Sequence, residues 1–145
     1  MLVRPLNQQD IDDWISLRAR LWPDESVAEL ADDARRALAS NPPLTVFVAE
    51  VAGRRVGFIE LGLRSYAEGC LSSPVPHVEG WYVEPDHRRR GVGEALMTAA
   101  ETWCREAGYK ELGSDTLVDN TLGLAAHAAV GFQAVERLWV FRKDL

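Results

Sequence analysis

The chain has 145 residues, 47% of them hydrophobic, which suits one domain (1–145) with a real core. Its formal net charge is −6 and its pI about 5.1, which argues against general nucleic-acid binding and leaves room for a cationic small molecule. Two cysteines, Cys70 and Cys104, stand without metal-ligand spacing, so no metal is expected. No charged-then-apolar leader opens the chain, and no apolar run approaches ~18 residues. A cytoplasmic protein without membrane segments, repeats or linkers is the expectation.

In chain order, residues 2–6 read as a short strand. Asn7 is placed to cap a helix over residues 8–21, with Ile11, Trp14, Ile15 and Arg18 at helical spacing. Pro23 breaks it and restricts Trp22 to extended geometry, turning the indole out of the helix register. Ser26, with Glu29 three residues on, has capping-box spacing for a helix to Ala39, which Asn41-Pro42-Pro43 stops. Residues 44–51 and 55–63 read as strands around an Ala52-Gly53-Arg54 turn, and a loop over 64–76 contains Tyr66, Gly69 and Cys70. Residues 111–115 and 133–142 read as further strands, flanking a helix over 121–129.

The stretch from Val78 to Ala107 organises the rest. A strand over 78–83 ends at Pro85, since proline cannot donate to a sheet ladder. His87-Arg88-Arg89-Arg90-Gly91-Val92-Gly93 forms a basic turn, and a helix follows with Leu96, Ala100, Trp103 and Ala107 on one face, closed by Gly108. Trp14, Trp103 and Cys104 are expected in the core. A helix that starts at a glycine turn points unpaired amides and a positive dipole end at whatever approaches. Glycine leaves the backbone open to a large anion, so the turn reads as a pyrophosphate cradle. A P-loop would need Lys and then Ser or Thr after its last glycine, where Glu94 stands. A dinucleotide fingerprint would need a third glycine where Leu96 stands.

What remains, Arg88-x-x-Gly91-x-Gly93 after a strand, resembles the coenzyme A loop of the GNAT superfamily of N-acetyltransferases. That resemblance implies a mixed α/β fold of order β-α-α-β-β-β-α-β-α-β, with a sheet that splays beside its central strand to admit the thioester. Over nearly its whole length the chain looks like the aminoglycoside 6′-N-acetyltransferases of that superfamily. The resemblance rests on Leu21-Trp22-Pro23, Ser72-Ser73-Pro74-Val75, Val78-Glu79-Gly80, Ser114-Asp115-Thr116, Asn120-Thr121 and residues 129–137.

The resemblance implies a polycationic aminosugar as substrate, acetyl-CoA as co-substrate and a homodimer. It implies that Trp22, Tyr66, Glu79, Asp115 and Glu136 line the drug site. It implies that Trp81, Tyr82, Val83, Arg89, Arg90, Gly91, Val92, Gly93, Glu94 and Asn120 bind acetyl-CoA. Where the family commonly has a tyrosine that protonates the leaving thiolate, this chain has His127, so the proton donor stays open between an imidazole and another group.

The chemistry is coherent. An ammonium has no lone pair, so a carboxylate is needed both to hold the amine and to take its proton, directly or through water. Glu79 on the central strand is best placed, and a backbone N–H near Trp81 to Val83 is suited to the developing oxyanion. A polyamine or peptide amine would also suit an acidic pocket, and a non-catalytic acyl-CoA-binding module is the reading from another class.

Overall fold

The computed structural model describes residues 1–145, which form two compact units, Met1–Ser114 and Asp115–Leu145. In the first, β1 (Leu2–Pro5), β2 (Thr45–Val51), β3 (Arg54–Arg64) and β4 (Val75–Val83) form an antiparallel sheet in that order. Two helices, α1 (Ile11–Leu21) and α2 (Val27–Ala39), fall between β1 and β2, and α3 (Val92–Glu106) follows β4.

Strand alternation distributes the layers. Phe58 on β3 joins Trp14, Ile15 and Leu17 of α1 and Ala34 of α2 in the core on one face. Gly57, next along the strand, faces α3, where a Cβ would come 3.3 Å from Leu96 Cδ1. Leu96, Met97, Ala100 and Cys104 bury the inner side of α3. Trp14 and Cys104 are thus core, as expected; Trp103 is only half-buried, stacked at 6.0 Å on Tyr109 near the end of the helix.

Helix starts follow their caps. Asn7 Oδ1 accepts from Gln9 N at 2.9 Å, and Asp10 Oδ2 accepts from Asn7 N at 2.9 Å. That box winds the predicted first turn as a 3-10 turn over Gln8–Asp10, and the α-helix begins only at Ile11. Asp10 is fully buried but bonded to Arg4 (2.6 Å) and Arg55 (2.8 Å), and the Arg4 bond above all holds its carboxyl far below the ordinary range.

Two predicted strands do not form as such. Of residues 111–115, only Gly113 joins the sheet, in a single parallel bridge to His77 made by Gly113 N→Pro76 O and Val78 N→Gly113 O, both 2.9 Å. A Cβ at Gly113 would meet His77 Cδ2 at 3.1 Å and Cys70 Sγ at 3.2 Å, so the approach needs glycine. On that edge of β4, residues 79–83 carry no ladder. Residues 133–142 are apolar enough for a strand but have no ladder, and without paired main-chain groups an extended segment is not a strand. In the second unit α4 (Thr121–Ala129) is the regular element.

Candidate active site

The turn between β4 and α3 has the geometry of an anion cradle. Gly91 takes a left-handed conformation (φ 79°, ψ −1°), with nothing near the place of its missing Cβ. Arg89 is also left-handed, at φ 57°, a strain of about 1–2 kcal/mol for a residue with a side chain. The first helical bond is Ala95 N→Gly91 O at 2.9 Å, so the amides of Val92, Gly93 and Glu94 precede the helical ladder. Arg89, Arg90 and Glu94 are exposed, whereas the Val92 side chain is buried and offers only its main chain. Gly93 lets the turn lie against Trp81, since a Cβ there would be 3.3 Å from Trp81 Cζ2. Arg88 turns away from the cradle. Its Nε donates to Val83 O at 2.8 Å and its guanidinium lies 5.6 Å from the Tyr82 ring centre, fastening the turn to the end of β4. Tyr82 itself packs on Phe58 and donates to Glu84 at 3.2 Å.

The β4 carboxylate owes its direction to a bulge. Glu60 pairs with Gly80 and Leu61 with Val78, so Glu79 is an extra residue with no partner across the ladder. In a regular strand Glu79 would point to the face opposite Gly80. Here it comes to the same face: a Cβ at Gly62, which alternates in step with Phe58 and Glu60, would lie 2.8 Å from Glu79 Oε1. Arg64 grips the carboxylate with two bonds, Nε→Oε1 at 2.8 Å and Nη2→Oε2 at 2.7 Å. On the inner side His77, 3% exposed, places Nδ1 at 3.6 Å from Oε1. Burial pushes the Glu79 carboxyl up, but the His77 and Arg64 contacts outweigh it and hold it at about 2.

The same face carries Trp22. The helix ends there, at φ −120°, and the indole folds onto β4 rather than away from the protein: a Cβ at Gly80 would meet Trp22 Cη2 at 2.9 Å. Arg18 is sandwiched between the Trp14 and Trp22 rings, at 5.2 and 5.0 Å. It meets Glu60 through Nε→Oε2 (3.1 Å) and Nη2→Oε1 (3.2 Å), and its Nη1 donates to Leu30 O (2.9 Å). Trp14 Nε1 adds a bond to Glu60 Oε2 at 3.1 Å. Burial pushes the Glu60 carboxyl up, opposed by the Arg18 guanidinium and the Trp14 bond. Tyr66, in the loop after β3, is 66% exposed, with its hydroxyl on Glu68 at 3.1 Å.

The remaining expected residues belong to the second unit. Asn120 caps α4: its Oδ1 accepts from Gly123 N at 2.9 Å and its Nδ2 donates to Thr116 Oγ1 at 3.0 Å. His127 Nδ1 donates to Gly123 O at 2.7 Å, because a carbonyl can only accept. Its ring meets Phe132 edge-on at 5.2 Å. With Nδ1 committed to Gly123 O, Nε2 is the ring nitrogen left to face another group. Asp115 and Glu136 are exposed.

A family model described as "Acetyltransferase (GNAT) family" matches residues 9–132. The chain belongs to the GNAT acetyltransferase family. Within it, the chain is 42% identical to an aminoglycoside N(6′)-acetyltransferase type 1 of Klebsiella aerogenes, over 99% of this chain and 97% of that protein. A protein of the same name from Stenotrophomonas maltophilia is 39% identical, over 99% and 93%. Among solved structures, AAC(6′)-Iy in complex with the bisubstrate analogue CoA-S-monomethyl-acetylneamine superposes with a TM-score of 0.92 at 34% identity, covering 99% of this chain and 98% of that one. Apo AAC(6′)-IG from Acinetobacter haemolyticus also gives 0.92, at 32% identity, covering 100% and 99%.

In this family member, sequence reasoning missed four residues. Arg18 had a signal: Trp14, Arg18 and Trp22 follow one another at i, i+4, which stacks a cation between two aromatic rings. Gly80 beside Glu79 hinted at the bulge. For Arg64, His77 and Glu60 no local pattern existed, since their partners are set by sheet register.

Proposed function

We propose that the chain transfers the acetyl group of acetyl-CoA to the 6′-amine of aminoglycosides in a ternary complex and so confers resistance to them. The observation that supports this most is the Gly91 cradle, in a chain that aligns end to end with proteins named for that reaction. The nitrogen lone pair attacks the thioester carbon, the carbonyl oxygen takes negative charge, and the C–S bond breaks as the amide forms. The ammonium must first lose a proton, and the departing thiolate gains one, so protons balance.

The main chain at Arg89, Arg90, Gly91, Val92, Gly93 and Glu94 is assigned to the pyrophosphate, with Asn120 on the coenzyme arm. The unladdered edge at Trp81, Tyr82 and Val83 offers an amide to the oxyanion. Trp22 and Tyr66 offer flat faces to the sugar rings; Glu79, Asp115 and Glu136 offer carboxylates to its ammonium groups. At about 2, Glu79 is anionic at any working pH, which suits ammonium binding, and passing the proton on through water is the base work left to it. His127 is assigned to the thiolate.

We read residues 1–145 as one GNAT domain working as a homodimer. Support for a second copy comes from residues 133–145, which have no ladder and expose Val135, Trp139, Val140 and Phe141. Two free thiols, Cys70 and Cys104, suit the reducing cytoplasm; no helix is long and apolar enough to cross a membrane. The test is thiol release from acetyl-CoA with kanamycin or tobramycin and with 6′-hydroxy analogues, then NMR of the product. Turnover limited to 6′-amines supports the reading; equal turnover on the hydroxy analogues overturns the regiochemistry.

A further inference from the structure

Glu79 is approached from two sides that differ in kind. His77 sits on the inner side, 3% exposed and fixed by its place in β4. Arg64 comes from the open end of β3, where the strand gives way to the loop carrying Tyr66. The side chains of the pair are 40% and 29% exposed, so water reaches both. A guanidinium held by two charge-assisted bonds engages both carboxylate oxygens, so an incoming ammonium has to compete with it for their charge. Gly62 leaves no side chain to hold the carboxylate on that flank. A partly exposed ion pair is weak, so a ligand that brings several charges outcompetes it.

We infer that Arg64 is a displaceable counter-ion of the substrate site: it pairs with Glu79 until the aminoglycoside arrives, then swings out. This rests on the reading that Glu79 binds a substrate amine. Before binding, Arg64 keeps the carboxylate aimed and charge-compensated. In binding, it acts as a competitor within the same chain, and the apparent dissociation constant is the intrinsic one divided by the fraction of protein with Glu79 open. For an exposed pair that factor is about two- to fivefold. The loosened guanidinium is then left at the rim of the site, beside the loop of Tyr66.

The experiment is a double-mutant cycle on tobramycin binding, by calorimetry with coenzyme A present so that no turnover occurs, using wild type, Arg64→Gln, Glu79→Gln and the double variant. The expected result is about two- to fivefold tighter binding for Arg64→Gln, with that gain abolished in the Glu79→Gln background. A gain that persists without Glu79 would be a long-range charge effect and would overturn the inference. So would unchanged or weaker binding, which would make Arg64 a structural or substrate-holding residue. Arg64→Lys, which keeps the charge and loses the two-bond grip, should fall between wild type and Arg64→Gln, and it serves if Arg64→Gln does not fold. Wild-type thiol release is measured alongside. Its absence with every aminoglycoside would sink the proposed function; intact turnover with no tightening would sink only the role of Arg64.

Discussion

Replacing Glu60 by Gln tests the buried network that holds Trp22. Glu60 is 1% exposed and accepts three bonds: two from Arg18, at 3.1 and 3.2 Å, and one from Trp14, at 3.1 Å. Glutamine keeps the shape but has one accepting oxygen and no charge. Its oxygen would serve the Oε2 position, which takes two of the bonds. Its NH2 would then face Arg18 Nη2, donor against donor. The Arg18 side chain, 10% exposed, would lose its counter-charge in a place water does not reach. Breaking a buried pair from one side costs about 3–5 kcal/mol, a large share of a typical ~5–15 kcal/mol total. At about 2–4 °C per kcal/mol for this chain length, Tm should fall by about 6–20 °C. Urea unfolding followed by tryptophan fluorescence gives the free energy directly, because Trp14 and Trp22 flank the site. Replacing both partners together, Arg18→Met with Glu60→Leu, should cost less than Glu60→Gln alone, since no uncompensated charge is left and the unpaired Trp14 Nε1–H, about 1–3 kcal/mol, is the main remaining loss. A loss below about 1 kcal/mol for Glu60→Gln would refute the argument, and would mean that burial already keeps Glu60 protonated.

Gly80→Ala places a methyl 2.9 Å from Trp22 Cη2 and 3.1 Å from Glu60 Cδ, so it should cost about 1–3 kcal/mol. Because it moves Trp22, it should raise KM for the drug and leave KM for acetyl-CoA alone; equal effects on both would separate Trp22 from the drug. Gly91→Val has room for its side chain but not for its backbone angle of +79°, so acetyl-CoA affinity should fall several-fold with the fold retained, as read by calorimetry and circular dichroism. Asp10 and Glu79 both have carboxyls lowered by folding, from ordinary values of 3.8 and 4.5. Their contribution to stability is therefore complete above those values and is lost as pH falls, for Glu79 towards about 2. Arg64→Gln leaves Glu79 facing His77 with Glu60 nearby, and should move its share of the acid loss to higher pH in a denaturation series; an unmoved curve would show that Arg64 does not set it.

The glycine turn was legible because its information is local. Gly91, Gly93 and the apolar face of α3 lie within a few residues of one another, and spacing alone fixes turn, helix start and buried side. The caps at Asn7 and at Ser26, whose Oγ accepts from Glu29 N at 3.3 Å, were legible for the same reason, although the Asn7–Asp10 box wound the first turn as a 3-10. The strands were less secure at their ends. Apolar residues at 135, 138 and 140 suggested a last strand, but a strand depends on a partner that sequence periodicity does not supply.

The sequence by itself determined that a glycine turn and a helix follow the strand over 78–83, and that this strand carries a carboxylate. It suggested a central strand, whereas β4 ends the sheet order and meets only Gly113 on its other edge. The tertiary structure decided which way that carboxylate points and what holds it. One extra residue in the β3–β4 ladder turned Glu79 to the face of Trp22, within reach of Arg64, 15 residues earlier in the chain. The reason is physical: side-chain direction on a strand has a period of two, so one residue of register exchanges its faces, and register is settled by pairing between distant segments.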